Sequence, residues 1–322
     1  MNLNGAAAGR ACVLRGGSYV VVVGGANVDI GGRSRGALVD GDSNPGFVST
    51  SLGGVGRNIA HNLSLLGADV RMLTACGDDL NGQLLCSASA AAGIDMSNIL
   101  KLADERTSTY LYITGPDGEM ALAVSDMSIC ERITPEYLAA NAALLAGARA
   151  IVCDTNIPAE SLQYLAENCT APIFCDPVST LKAEKLRPIL GKLHTLKPNR
   201  MEAELLSGVP IRSDADVEAA AKALLKTGLK RVVISLGGDG MYAATYNESC
   251  WMDNLPCRMV NTTGCGDSAM AAIVWAYLED MSLEDSVRAG LAAGSVTLES
   301  AETISPMMSA EAIRSRMEIP NG

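Results

Sequence analysis

The chain has 322 residues, 48% hydrophobic but only 4% aromatic, with a formal net charge of −11 and a pI near 4.7. Its length and apolar content suit one large α/β domain, or two small ones, around an aliphatic core. The acidity argues against nucleic-acid or anionic-membrane partners, and the apolar runs are much shorter than a membrane span.

Residues 1–17 are rich in Ala and Gly, with Arg10 and Arg15 and no acid. They read as a disordered leader on a cytoplasmic protein. Organellar import, peroxisomal included, is left open, although the terminal Ile-Pro-Asn-Gly is not a Ser-Lys-Leu ending. Tyr19–Val23 is a β-branched run ending at Gly24-Gly25, as expected of a strand buried on both faces. Strands are expected at 70–74, 150–153, 173–175, 195–196 and 231–235, and helices at 58–66, 83–92, 160–167, 214–226, 269–278 and 283–298. Such alternation implies a mostly parallel sheet with helices on both faces and ligands beyond the strands' carboxyl ends. The stretches 36–51 and 107–124 break the rhythm with short alternating runs and turn signals such as Asp117-Gly118. The ten cysteines are irregularly spaced and the two histidines, His61 and His194, lie far apart. That pattern favours buried thiols over a zinc site or a nucleophile–histidine hydrolase.

The most informative segment is Asn261-Thr-Thr-Gly-Cys-Gly-Asp267, followed by an apolar run of helix formers. It reads as a loop entering a helix N-terminus, where unpaired backbone N–H groups attract anions. Gly264 and Gly266 allow close approach of such an anion. A carboxylate there would repel phosphate, so Asp267 makes sense as the base for a hydroxyl that attacks it. A plain turn with Asp267 as N-cap is the alternative reading of these residues alone.

Two further glycine-rich runs bear on that choice: Gly53-Gly54-Val-Gly-Arg-Asn58 ahead of a helix, and Ser235-Leu-Gly237-Gly-Asp-Gly240 after a strand-like run. The first resembles the amino-terminal signature of the ribokinase-like (PfkB) carbohydrate kinases, and 261–272 resembles their carboxy-terminal signature, with Cys265 in place of the usual alanine. Lys197-Pro-Asn199-Arg-Met-Glu202 resembles the Asn-x-x-Glu motif of that family, and 235–240 its nucleotide loop. The four occur in family order across most of the chain.

The resemblance implies a ribokinase-like three-layer α/β/α sandwich over 18–318, with a mostly parallel central sheet. The stretches 36–51 and 107–124 would form a small β-sheet lid over the sugar site. It implies ATP and Mg²⁺, with Asp267 as base and the Gly264, Cys265 and Gly266 amides stabilising the transferred group. Asn27, Asp29, Gly53, Gly54 and Asn58 would hold the sugar. Lys197, Asn199, Ser235, Gly237 and Gly240 would line the nucleotide site, and Asn199 with Glu202 would hold the Mg²⁺ water shell. Asn261 and Thr263 match a K⁺ site, although aspartate often stands where Asn261 does. A homodimer paired through lid edges is expected. Details at 42–46, 53–60, 126–127, 156–157, 176–179 and 194–200 resemble the pseudouridine kinase subgroup. That points to pseudouridine as substrate, with Ser43, Asp126 and Asn156 as base contacts. Sibling kinases acting on ribose, adenosine or fructose, and a non-catalytic sensor on the same fold, are the competing readings. A nicotinamide-dependent dehydrogenase is weak, because Gly24-Gly25-Ala-Asn is not Gly-x-Gly-x-x-Gly.

Overall fold

The computed structural model describes residues 19–319, so the reading of 1–17 as a leader lies outside the described residues. The strands are, in chain order, β1 (Tyr19–Val23), β2 (Asn27–Ser34), β3 (Gly46–Gly53), β4 (Asp69–Leu73), β5 (Ala75–Gly77), β6 (Ile94–Asp95), β7 (Leu100–Leu102) and β8 (Thr109–Thr114). They continue with β9 (Met120–Asp126), β10 (Ala150–Asp154), β11 (Ile173–Asp176), β12 (Thr195–Leu196), β13 (Arg231–Ser235), β14 (Met241–Thr245) and β15 (Ser249–Met252). The helices are α1 (Val55–Leu65), α2 (Leu80–Ala91), α3 (Pro135–Ala140), α4 (Ala142–Ala146), α5 (Ala159–Asn168) and α6 (Thr180–Ala183). After them come α7 (Arg200–Ser207), α8 (Asp214–Leu225), α9 (Cys265–Leu278), α10 (Leu283–Leu298) and α11 (Ala310–Met317). No helix among the described residues is long and apolar enough to cross a membrane.

Nine strands form one sheet in the order β15-β14-β13-β12-β11-β10-β1-β4-β6, parallel except for β13/β14 and β14/β15. The valines of β1 show why it is central. Val20 and Val22 enter one core cluster with α1, α9 and α10, while Val21 and Val23 enter the other with α5 and α8. A strand with both faces covered needs apolar residues at every position, which is what Tyr19–Val23 supplies. The result is a three-layer α/β/α arrangement. The antiparallel hairpin β14–β15 carries no strand expectation, because its Ala and Ser residues give little β signal.

A second, four-stranded sheet runs β3-β2-β8-β9. It differs from the expected segments 36–51 and 107–124 at its first strand, which is Asn27–Ser34, whereas 35–45 is a connection. The glycine pair inside β2 masks its alternation. Side chains alternate across this sheet. Ser51, Asp29 and Tyr110 stand in one row, and Thr50, Ile30, Leu111 and Val124 in the next, on the opposite face.

One buried carboxylate ties the turn after β1 to α1. Asp154, at the end of β10 and fully buried, accepts hydrogen bonds from Gly25 N at 2.9 Å, Gly56 N at 2.7 Å and Asn156 N at 2.8 Å. A Cβ on Gly24 would stand 2.5 Å from Asp154 Oδ2, so only glycine lets the two chains approach this closely. Asp154→Ala would strand three buried donors, each costing about 1–3 kcal/mol. A loss of at least about 3 kcal/mol in urea-unfolding stability is expected, and a loss below about 1 kcal/mol would contradict the tie.

Candidate active site

The site grows from the start of α9. Gly264 is its N-cap with φ of 86°, and a Cβ there would collide with the Thr303 carbonyl. Asp267 stands in the first turn of this otherwise buried helix. Its Oδ2 accepts from Asn58 Nδ2 at 2.9 Å, which joins α9 to α1 across the parallel sheet's carboxyl edge. Burial, and next the Asp176 carboxylate, push the Asp267 carboxyl up to about 7. The Asn58 hydrogen bond and the Lys197 ammonium act the other way, and Asp154 adds to the rise.

Lys197 follows β12 and is 4% exposed, with Nζ 3.0 Å from Asp176 Oδ2. Burial opposes its charge, but Asp176, with Asp267 and Glu202 behind it, holds its pKa above the ordinary value. The ammonium also lies beside Gly266, where a Cβ would sit 3.6 Å from Nζ.

The loop 261–266 separates two clefts. On one side, Lys197, Asn199, Ser235, Gly237, Gly240, Cys265 and Gly266 line a cavity of about 390 Å³ with apolar walls that include Leu255 and Leu291. Gly240, at φ of 80°, lies so close to the Met252 carbonyl that any Cβ would overlap it. Asn199 and Glu202 form a capping box: Asn199 Oδ1 accepts from Glu202 N, and Glu202 Oε2 accepts from Asn199 N, both at 2.9 Å. One oxygen of each is therefore committed to the start of α7. On the other side, Asp29, Ser51, Arg57, His61, Tyr110, Tyr112, Asn261 and Thr263 line a cleft of about 820 Å³. Asp29 accepts from Asn27 Nδ2 at 2.5 Å. Burial raises its pKa against the pull of Asn27 and Arg57. Gly53 and Gly54 close in on this corner, since a Cβ on Gly53 would strike the Asp29 carboxylate and one on Gly54 the Gly25 carbonyl.

Asn27, Asp29, Gly53, Gly54 and Asn58 thus gather on one flank of Asp267, and the nucleotide-loop residues on the other. Three expected base contacts are not brought in. Ser43 lies on the exposed 35–45 connection, where its N bonds Asp42 Oδ1 and Asn44 fastens back onto Val39. Asp126 is turned away by strand register: Ser125, not Asp126, shares the row of Asp29 and Tyr110, and the Asp126 carboxylate accepts from Ser128 Oγ at 2.7 Å. Asn156 is 7% exposed, packs against Gly25, and its Oδ1 accepts from Lys182 Nζ at 2.5 Å. Asn261 is also engaged at both ends: Oδ1 accepts from Thr263 N and Nδ2 donates to the Ala301 carbonyl.

Asp154, Arg57, His61, Tyr110 and Tyr112 also belong to this neighbourhood, although no sequence motif assigns them a role. Arg57 and His61 were legible as an i,i+4 pair on the helix that carries Asn58. Burial and then the Arg57 charge lower the His61 pKa to about 4, so its imidazole is neutral.

The raised Asp267 pKa has a consequence for stability. Between about pH 4 and about pH 7 the folded chain keeps a proton on Asp267 that the unfolded chain releases, so this group makes the fold lose stability as pH rises. Asp267→Asn removes that loss. Its urea midpoint should exceed the wild-type value by more at about pH 8 than at about pH 5, and an equal gain at both would contradict the burial.

Comparison with known proteins agrees with this geometry. The family model described as "pfkB family carbohydrate kinase" matches residues 18–310. A pseudouridine kinase of Escherichia coli (strain K12) is 40% identical over 302 residues, covering 93% of this chain and 96% of its own. An uncharacterized sugar kinase of the same organism, YeiI, is 36% identical, covering 94% and 84%. Among solved structures, a carbohydrate kinase from Agrobacterium tumefaciens superposes with a TM-score of 0.83 at 30% identity, covering 93% of this chain and 97% of that one. The chain belongs to the pfkB family of carbohydrate kinases, has the ribokinase-like fold, and is a phosphotransferase with an alcohol group as acceptor.

Proposed function

We propose that the chain is a pseudouridine kinase, transferring the γ-phosphoryl group of ATP to the 5′-hydroxyl of pseudouridine. The observation that carries the chemistry is Asp267, a half-buried carboxyl pushed up to about 7, hydrogen-bonded to Asn58 and next in sequence to Gly266 of the nucleotide-side cavity. The 40% identity to a pseudouridine kinase supports the choice of substrate.

In this reading the ribose hydroxyls meet Asp29 and Asn27, with Gly53 and Gly54 keeping that corner close and Asn58 adding a further polar partner. Asp267 takes the proton of O5′ as the new O5′–Pγ bond forms and the bond from Pγ to the β-phosphate oxygen breaks, releasing ADP. A base whose pKa lies near the working pH is suited to this transfer. The Gly264, Cys265 and Gly266 amides, with the α9 dipole, stabilise charge on the transferring group. Lys197 adds a cation on the nucleotide side, where Ser235, Gly237 and Gly240 border the ATP.

Asn199 lines the cleft with its single side-chain oxygen engaged in the capping box, and Glu202 is buried behind it with one carboxylate oxygen engaged, so the pair fits a Mg²⁺ ion held through water rather than directly. Bound there, Mg²⁺ would neutralise phosphate charge. Asn261 fits K⁺ less well: its amide is neutral and engaged at both ends, so no step is assigned to K⁺.

The exposed face of the small sheet supports a homodimer. Val48, Leu122 and Val124 are 78%, 61% and 57% exposed, on the face away from Asp29. Leu122→Asp should shift wild-type dimer to monomer in sedimentation velocity, and a wild-type monomer would contradict the assignment.

The 36% identity to a sugar kinase favours a second reading, a kinase of free sugars. ATP-dependent turnover of pseudouridine, uridine, adenosine, ribose and fructose separates the two, with pseudouridine expected to give the highest kcat/KM. Asp267→Asn should lower kcat for the best substrate by about 10²–10⁴-fold while ATP still binds. Turnover near the wild-type value would contradict its role.

A further inference from the structure

The sugar-side cleft contains an unmatched donor. Arg57 is 5% exposed and lines this cleft, yet none of its nitrogens has a hydrogen-bond or ion-pair partner among the described residues, and its buried Nε is unpartnered. A guanidinium carries five N–H donors and no acceptor. Burying donors without acceptors is costly, so such a group is expected where a ligand completes it. One turn further along α1, the buried His61 Nδ1 is also without a partner.

What completes Arg57 follows from its neighbours, if the proposed nucleoside-kinase reading holds. The ribose hydroxyls face the acceptors of Asp29, and O5′ points to Asp267, so the base occupies the remaining wall of the cleft. That wall offers the rings of Tyr110 and Tyr112, 5.8 Å apart and tilted by 33°, as an apolar surface for a planar ring. We propose that Arg57 determines specificity by donating to a carbonyl oxygen of the nucleobase, so that the site prefers a carbonyl-bearing nucleoside over a free sugar. The Asp29 carboxylate beside it is not a bonded partner: the two interact only through their charges.

The test measures kcat/KM for pseudouridine and for ribose in the wild type, Arg57→Met and Arg57→Lys. Loss of a hydrogen bond from a charged donor to a ligand carbonyl should cost pseudouridine roughly a hundredfold in Arg57→Met. Ribose should lose far less, so the pseudouridine-to-ribose ratio falls at least about thirtyfold. Arg57→Lys keeps the charge near Asp29 but loses the fork, and should restore only a small part of the ratio. Parallel losses on both substrates would overturn the proposal, because Arg57 would then serve Asp29 or the fold. So would an unchanged ratio, or full recovery in Arg57→Lys. A misfolded methionine variant, seen as a lowered melting temperature, leaves the decision to the lysine variant, in which a wild-type ratio refutes the proposal. Failure of the nucleoside reading itself appears earlier, as wild-type turnover of ribose without turnover of pseudouridine.

Discussion

The structure depends on one close approach between backbone segments, held by the Asp154 carboxylate. Three N–H groups from the turn after β1, the start of α1 and the loop after β10 converge on it in the protein interior. Burial raises its pKa, the three donors counter that rise, and the nearby Asp176 carboxylate adds to it. The position of α1 follows from this contact, and with it the position of Asn58. Because Asn58 bonds Asp267, the same tie sets where the proposed base stands relative to the sugar corner. An interior carboxylate with no assigned part in the chemistry thus fixes the position of the proposed base.

Charge around Asp267 is arranged in opposition rather than neutralised. Asp154 and Asp176 pair across β10 and β11 and disfavour a third negative charge nearby, while Lys197, bridged to Asp176, moderates their effect. A carboxylate fully paired with the lysine would be too weak a base, and one without it would hold its proton too firmly. In the proposed reading the acidic chain handles phosphate through a few local devices, amides at a helix start and the buried Lys197 ammonium, and not through its overall charge.

Much of the fold was legible because its signals are local. β1 announced itself by an unbroken β-branched run, and α10 by its apolar periodicity; the glycine loops at 53–56, 237–240 and 264–266 marked places where backbone must come close. What was not legible depends on register and on pairing between distant segments. Asp126 reads as a polar residue near the sugar until strand pairing puts Ser125 in the cleft row instead. Ser43 sits in a Pro- and Gly-containing turn that closes on itself. Asn199 and Glu202 resembled a metal motif, and their spacing is equally that of a capping box, which the structure contains. Asp154 gave no signal, since a lone acid at a strand end shows its three donors only after folding. Arg57 is masked within its own signature, where the adjacent glycines and Asn58 carry the stronger signal.

The proposed role of Asp267 is tested most directly by the pH dependence of kcat/KM with MgATP in excess, which reports groups of the enzyme before the nucleoside binds. An acid limb with an apparent pKa near 7 is expected, and it should move upward in Asn58→Ala, where a hydrogen bond that favours the charged carboxylate is lost. A limb near the ordinary carboxylate value, or one that stays in place when Asn58 is removed, would contradict the assignment of Asp267 as the base.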